Sequence, residues 1–340
     1  MSRMIRFHKF GAADVLQYEE VPTPVPGPNE VLVRVQAVGL GWKDVLWRQN
    51  LAAEQARLPA GIGNELAGTV AALGEGVEGL DIGMAVAGFP SSTPSRYPTW
   101  GDLVLMPVHG LTRYPDVLSS AEASVHYSAL LSGYLAMVEL AQLKPGQHVL
   151  ITHATHCLAP QNVQLAKALG AHVIASTESA DDREFLRTLG ADKVIVTEEQ
   201  DLVLEVERYT EGKGAEVILD QCAGPQMKLL GDIAAQRGKL ILYGNNGGND
   251  TAFPACAAFK KHLQFFRHCV LDFTGCPELG IEPNAEAVQR ALTHINQMTA
   301  DRLLTPLIDK VFDFEDFVAA HRYMETCPSR GRVALTLAVD

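Results

Sequence analysis

From about Leu143 onward the chain alternates short, wholly apolar runs with longer stretches whose apolar residues recur three or four positions apart. The runs HVLIT (148–152), HVIAS (172–176), KVIV (193–196), EVILDQC (216–222) and KLILYG (239–244) read as buried strands. Between the first two lies PQNVQLAKALG, where Val163, Ala166 and Leu169 share one helical face and Gly170 supplies the stop. Strand, helix and strand in that order make a βαβ crossover, so an α/β fold with a doubly wound parallel sheet is expected here. The first third has a different rhythm. EVLVRVQAVGL (30–40), behind the breaker PTPVPGPNE, and LAGTVAALG (66–74) are strands set off by Gly and Pro, which predicts a compact all-β unit. A helix from about Glu286 to Met298 precedes DKVFDFEDFVAAHRYMET and a closing strand RVALTLAV, expected to rejoin the β unit. The predicted organisation is one domain from 1–122 with 290–340 returning to it, and a second from 123–289.

Length and composition narrow the function classes. The 340 residues fit two domains at a prior of roughly 150 each, and 47% hydrophobic with 20% charged residues suits a well-cored globular chain. The 28 basic and 40 acidic residues give a net charge of −12 with no basic run, which argues against nucleic acid and anionic membrane as partners. MSRMIRFHKF carries charges where a signal peptide needs an apolar core, and no stretch reaches roughly 18 apolar residues, so a cytoplasmic protein is expected. Six cysteines (Cys157, Cys222, Cys256, Cys269, Cys276, Cys327) show no CxxC and no zinc-finger spacing, and read as reduced.

The first chemical candidate is the turn after HVLIT. A dinucleotide pyrophosphate binds where a strand-to-helix turn aims free N–H groups and a positive helix end at it. That turn runs His153-Ala154-Thr155-His156-Cys157-Leu158-Ala159-Pro160, and the glycines that usually permit close approach are absent. Its candidate contacts are Thr155, His156, Cys157 and Leu158. The second strand ends in Ser176-Thr177-Glu178, where a small polar residue tolerates a 2′-phosphate and so favours NADPH, with NADH as the alternative. Arg183 is the nearby cation, opposed by Glu178, Asp181 and Asp182, carboxylates that also suit a solvated helix start. His148, His153, His156 and Cys157 are metal-ligating types, but their spacing alone reads as exposed or core-satisfied side chains.

NEVLVRVQAVGL, GIGNELAGTVAALGEGV, LKPGQHVLITHAT, VQLAKALGAHVIAST, LRTLGADKVI, LDQCAGPQMKLL, GKLILYG and FEDFVAAHRYMET, in this order and spacing, resemble the medium-chain dehydrogenase/reductase superfamily, specifically its zinc-free quinone-oxidoreductase-like branch. The resemblance implies a GroES-like β domain, a Rossmann domain, hydride transfer with a nicotinamide and a homodimer, the apolar strand LQFFRHCVL (263–271) serving as sheet edge. Positions that hold the catalytic metal in the zinc enzymes match Gly41, Asn64 and Ser128 here, none a good Zn²⁺ ligand, so no zinc is expected. The resemblance also nominates Ser132, Cys222, Ala223, Tyr243, Gly244, Asn245 and Arg332 for cofactor contacts.

Without a Lewis acid, an activated acceptor is the expected substrate: quinones and enones take hydride at carbon and leave an anion that needs only a hydrogen bond and a proton. The expected activity is NADPH-dependent reduction of such a small molecule in an interdomain cleft. Lys43 stands where the zinc enzymes carry a proton relay, and Tyr127 and Tyr134 are competing donors. Trp42 and Trp47 suit stacking on a planar acceptor as well as packing. Gly41 and Asn64 complete the substrate candidates, with Asp44 as an orienting acid. A carbonyl or aldehyde reductase and a noncatalytic nucleotide sensor are the rival readings.

Overall fold

Six parallel strands form the sheet on which the second half of the chain is built. From edge to edge they are Lys193–Val196, His172–Thr177, His148–Ile151, Ala215–Asp220, Ala234–Leu242 and Gln264–Arg267. In order of appearance this is 3-2-1-4-5-6, the doubly wound dinucleotide-fold order, and it reverses between His148–Ile151 and Ala215–Asp220. This is a computed structural model, and it describes all residues except Ala53, Gly247, Asn249, Cys327, Pro328, Ser329, Val339 and Asp340. Cys327, one of the six cysteines, therefore lies outside the described residues. The chain divides into two units, Met1–Ser128 with Val270–Ala300 and Thr305–Asp340, and Ala129–Cys269 with Asp301–Leu304. The divisions at Ser128/Ala129 and Cys269/Val270 stand beside 122/123 and 289/290 from sequence; the first falls inside the continuous helix Ser120–Tyr134, where no turn residue marks it.

In the second unit, Leu150, Ile174, Ile195, Ile218 and Leu240 pack with Val206, Met227, Leu230 and Ile233 into one core. Their neighbours Val149, Val173, Val217, Leu219 and Ile241 are fully buried too, which explains why these strands read as unbroken apolar runs. Each such side chain contributes roughly 1.5–3 kcal/mol on burial. The helix Ala159–Ala168 buries Val163 and Ala166, and also Gln161 and Asn162. It approaches Gly133 so closely that a Cβ there would lie 2.2 Å from Asn162 Oδ1. Gly170, at φ +82°, supplies the left-handed residue just past the helix end.

The first unit holds a seven-stranded sheet in the order Ile308–Asp313, Arg332–Thr336, Glu30–Leu40, Leu66–Leu73, Ala85–Gly88, Leu111–Thr112, with Leu103–Pro107 also on Glu30–Leu40. The closing strand pairs antiparallel with Glu30–Leu40, Val333 opposite Leu40. A small sheet of Leu16–Val21, Ser2–Phe7 and Ala60–Gly61 adds Ile5 and Phe7 to the core. The all-β expectation needs correction, because Trp42–Arg48 is a helix started by Asp44 accepting from Gly41 N and held by burial of Val45 and Trp47. LQFFRHCVL is likewise shorter as a strand than expected: only Gln264–Arg267 pairs, as the outermost strand of its sheet, and Leu271–Thr274 turns into a helix. No helix among the described residues is long and apolar enough to cross a membrane.

Candidate functional site

Each unit gathers candidate residues at one place. In the second unit they lie at the carboxyl ends of the parallel strands, around the reversal of strand order. The turn after His148–Ile151 places His153 and Cys157 in left-handed backbone, at φ +46° and +51°, and reaches the helix Ala159–Ala168 with Pro160 in its first turn. Ala154 N donates to Ser176 O at 2.8 Å, tying the turn to the next strand. Gln221, 2% exposed at the end of Ala215–Asp220, donates its Nε2 to His153 O (3.0 Å) and His156 O (3.2 Å). One buried amide thus braces a turn that has no glycine of its own. Thr155 is buried, with its hydroxyl 3.2 Å from His156 Nδ1. Burial, then the neighbouring His153, lowers the His156 pKa, which favours a neutral ring. Leu158 is half-buried at the helix start.

The neighbouring strand ends complete this rim. Asp220 is fully buried and accepts from Thr152 Oγ1, Gln226 Nε2 (3.1 Å) and Ala223 N (2.7 Å). Burial nonetheless raises its pKa. Cys222 Sγ lies 3.3 Å from His153 Nδ1, and burial beside Asp220 pushes its thiol up to about 12. Ser176 and Thr177 are buried, and Thr177 donates to Asp182 Oδ2 at 2.6 Å. Arg183 is paired with Glu199. Tyr243 has a buried hydroxyl, its pKa raised by burial, while Asn245 is exposed. Gly244 has a packing reason to be glycine, since a Cβ would lie 2.5 Å from Gln221 O. Ser132, 5% exposed, accepts from His268 Nε2 through its carbonyl at 3.0 Å.

In the first unit, Gly41, Asp44, Asn64, Glu65 and Arg332 come together. Asp44 accepts from Gly41 N (2.9 Å) and Asn64 Nδ2 (3.4 Å) and is 4% exposed. Burial is the main cause that lifts its carboxyl to about 7, with Glu65 adding to the rise and Arg332 opposing it. Arg332 and Glu65 form a buried ion pair. Arg332, nominated by the resemblance for a cofactor contact, is 4% exposed and has its guanidinium paired with Glu65 within its own unit. Lys43 is exposed on the first turn of the adjoining helix, and Trp42 is half-buried against the core. Trp47 is 4% exposed with its indole N–H on Gly61 O, so it packs and presents no face for stacking. Tyr127 is 1% exposed and donates to Asn296 Oδ1, while burial raises its pKa, so it is not placed to give up a proton. Tyr134 is equally buried. Sequence reasoning missed Glu65, Asp220 and Gln221; the signal for the last two was DQ closing an otherwise apolar strand.

Comparison with known proteins agrees with this geometry. The alcohol dehydrogenase GroES-like domain matches residues 27–115, and the zinc-binding dehydrogenase family matches residues 161–279. A quinone oxidoreductase of Salmonella typhimurium is 30% identical over 253 residues, 73% of this chain and 74% of that protein. The quinone oxidoreductase of Escherichia coli, solved in complex with NADPH, superposes with a TM-score of 0.84 at 25% identity, covering 99% of this chain and 100% of that one. A phenolphthiocerol/phthiocerol polyketide synthase of Mycobacterium tuberculosis is 30% identical over 328 residues, 96% of this chain, but the chain spans only 14% of its length. The chain belongs to the medium-chain dehydrogenase/reductase superfamily. Within it, the chain is one of the quinone-oxidoreductase-like proteins.

Proposed function

We propose that the chain is a zinc-independent reductase that uses NADPH to reduce a quinone or an α,β-unsaturated carbonyl compound. The observation that carries this reading is the rim of loops 153–158, 176–177, 220–224 and 243–246 at the strand-order reversal, where doubly wound sheets take dinucleotides. The left-handed backbone at His153 and Cys157 fits the cofactor, because it gives without glycine a conformation that a tight strand-to-helix turn requires. Buried Ser176 and the NADPH complex of the Escherichia coli relative favour NADPH over NADH.

The matched zinc-binding dehydrogenase family raises the question of a metal. At the positions resembling zinc ligands the chain carries Gly41, Asn64 and Ser128, and a side chain begun at 41 would meet Arg332 Nη2 3.6 Å away. Glycine has no side chain to ligate, and an amide and a hydroxyl are not the thiolate, imidazole or carboxylate that Zn²⁺ takes, so these residues do not fit Zn²⁺. When bound, the reduced nicotinamide supplies the hydride. The protein's task is then to hold the acceptor and protonate the enolate or hydroquinone anion. Lys43 is the proposed donor: it is exposed on the helix that starts at Gly41, next in sequence to Asp44, which accepts from Asn64 Nδ2.

The test is NADPH oxidation against a panel of enones and quinones, with nucleotide binding measured separately by fluorescence. Turnover is expected with part of the panel. Lys43→Ala should lower kcat by on the order of 100-fold with NADPH affinity unchanged, and Tyr127→Phe should turn over like the parent. NADPH binding without turnover on any acceptor would refute the reductase reading.

A further inference from the structure

We infer that His153, Cys222 and Asp220 form a site for a transition-metal ion of the Zn²⁺ or Co²⁺ class, and that its occupation excludes the dinucleotide. The exclusion rests on the nucleotide reading above; the metal site does not. One ligand atom from each residue lies within 4.8 Å of the other two, and His153 Nδ1 is 3.3 Å from Cys222 Sγ. In a tetrahedral zinc site, bonds of about 2.0–2.3 Å put neighbouring ligand atoms roughly 3.3–3.8 Å apart. The His–Cys pair already has that spacing, and the carboxylate needs to close by about an ångström.

The surroundings are those of a ligand set. His153 Nε2 is 3.5 Å from Glu178 Oε1, so the carboxylate can hold the proton on Nε2 and leave the Nδ1 lone pair facing Cys222. A carboxylate behind the far nitrogen is the usual way a metal-binding histidine is oriented. The His153 backbone is held as well, its carbonyl clipped by Gln221 Nε2. An ionised carboxylate has about four lone-pair positions, and those of Asp220 are taken by Thr152, Gln226, Ala223 N and the backbone of Cys222, so an ion bound there replaces one of these four hydrogen bonds. Nitrogen, sulfur and oxygen together suit a borderline ion and not Mg²⁺ or Ca²⁺, which take oxygen alone. Three protein ligands leave one coordination position open, and half-buried His153 and Cys222 leave an entry path.

Location gives the consequence. His153 belongs to the turn after His148–Ile151 and Cys222 to the loop after Ala215–Asp220, the two strands flanking the reversal of strand order. An ion joining them ties together the two loops between which a pyrophosphate would enter.

The experiment titrates full-length, chelator-treated protein with Co²⁺, then Zn²⁺, and measures NADPH binding by fluorescence with and without Zn²⁺. One Co²⁺ per chain is expected, with a thiolate-to-cobalt charge-transfer band that Zn²⁺ abolishes. The band should vanish in Cys222→Ser, and Co²⁺ affinity should drop in His153→Gln. With Zn²⁺ held about tenfold above its own Kd, the apparent Kd for NADPH should rise about tenfold, as competition by mass action requires. Absence of the band, or its persistence in Cys222→Ser, would overturn the site. If those variants fail to fold, Glu178→Gln replaces them: Co²⁺ should bind about tenfold more weakly, and unchanged affinity counts against the site. A cobalt band in protein that never binds NADPH leaves the metal site standing and removes the nucleotide reading. Equal NADPH affinity with and without bound Zn²⁺ overturns the exclusion.

Discussion

His153 and Cys157 hold left-handed backbone that costs a non-glycine residue roughly 1–2 kcal/mol. Gln221 offsets part of that cost by donating to two carbonyls of the turn from a position where water cannot replace it. Gln221→Leu is therefore expected to destabilise the fold by about 1–3 kcal/mol and to weaken NADPH binding by about tenfold, equivalent to ~1.4 kcal/mol. Denaturant unfolding and nucleotide titration check both, and wild-type affinity in this variant would show that the brace is irrelevant to binding. Asp44 makes the second case. Its folded pKa, about 7, lies above the ordinary 3.8, so the protonated form is favoured by folding. The stability this confers is full below about pH 4 and is lost as pH rises through about 7. Asp44→Asn keeps an oxygen for Gly41 N without a buried charge. Its melting temperature relative to the parent should climb between about pH 5 and pH 8; a difference that does not change with pH defeats the argument.

At the level of strands and their loops, the cofactor preference depends on which partner Arg183 keeps. Ser176 ends its strand without a carboxylate, yet the nearest cation in sequence is bound to Glu199, and Thr177 is engaged by Asp182. A 2′-phosphate would have to draw Arg183 away from Glu199. Glu199→Gln removes that competitor, and the ratio of NADPH to NADH affinity should rise by about three- to tenfold, in line with ~1 kcal/mol for a partly exposed pair. An unchanged ratio would mean that Arg183 does not read the phosphate. The strands themselves were legible because burial on both faces leaves unbroken apolar runs, as in KVIV, and Gly170 marked its helix end. Trp42–Arg48 was not legible as a helix: about two turns of mixed residues have no period to read, and its start depends on Asp44 reaching back to Gly41. Gln221 was hidden for another reason. Its partners lie 65 and 68 positions earlier, and only the parallel pairing of Ala215–Asp220 with His148–Ile151 brings them together.

For the chain as a whole, mild acidification should at first relieve strain, since a net charge of −12 at pH 7 falls toward zero near a pI of about 5.4. A loss of stability in that interval must then come from particular buried groups. His126 and His321 are both fully buried in the first unit, His126 against Thr299 Oγ1 at 2.8 Å and His321 with its ring 5.2 Å from that of Trp100. Burial lowers His126 to about 4; burial, then Arg48, lowers His321 to about 3. Both fold as neutral rings, so the stability they confer is present above about pH 6.5 and is lost as pH falls toward 4 and 3. Neither nitrogen of His321 has a hydrogen-bond partner, so an apolar ring of similar size sacrifices no bond there. His321→Phe should match the parent near pH 7.5 and exceed it by about 2 kcal/mol near pH 5, where only the unfolded histidine gains a proton. Urea unfolding at the two pH values measures the difference. An advantage equal at both would assign the effect to packing against Trp100, and a parent that loses no stability between them would show that His321 is protonated in the folded chain at little cost.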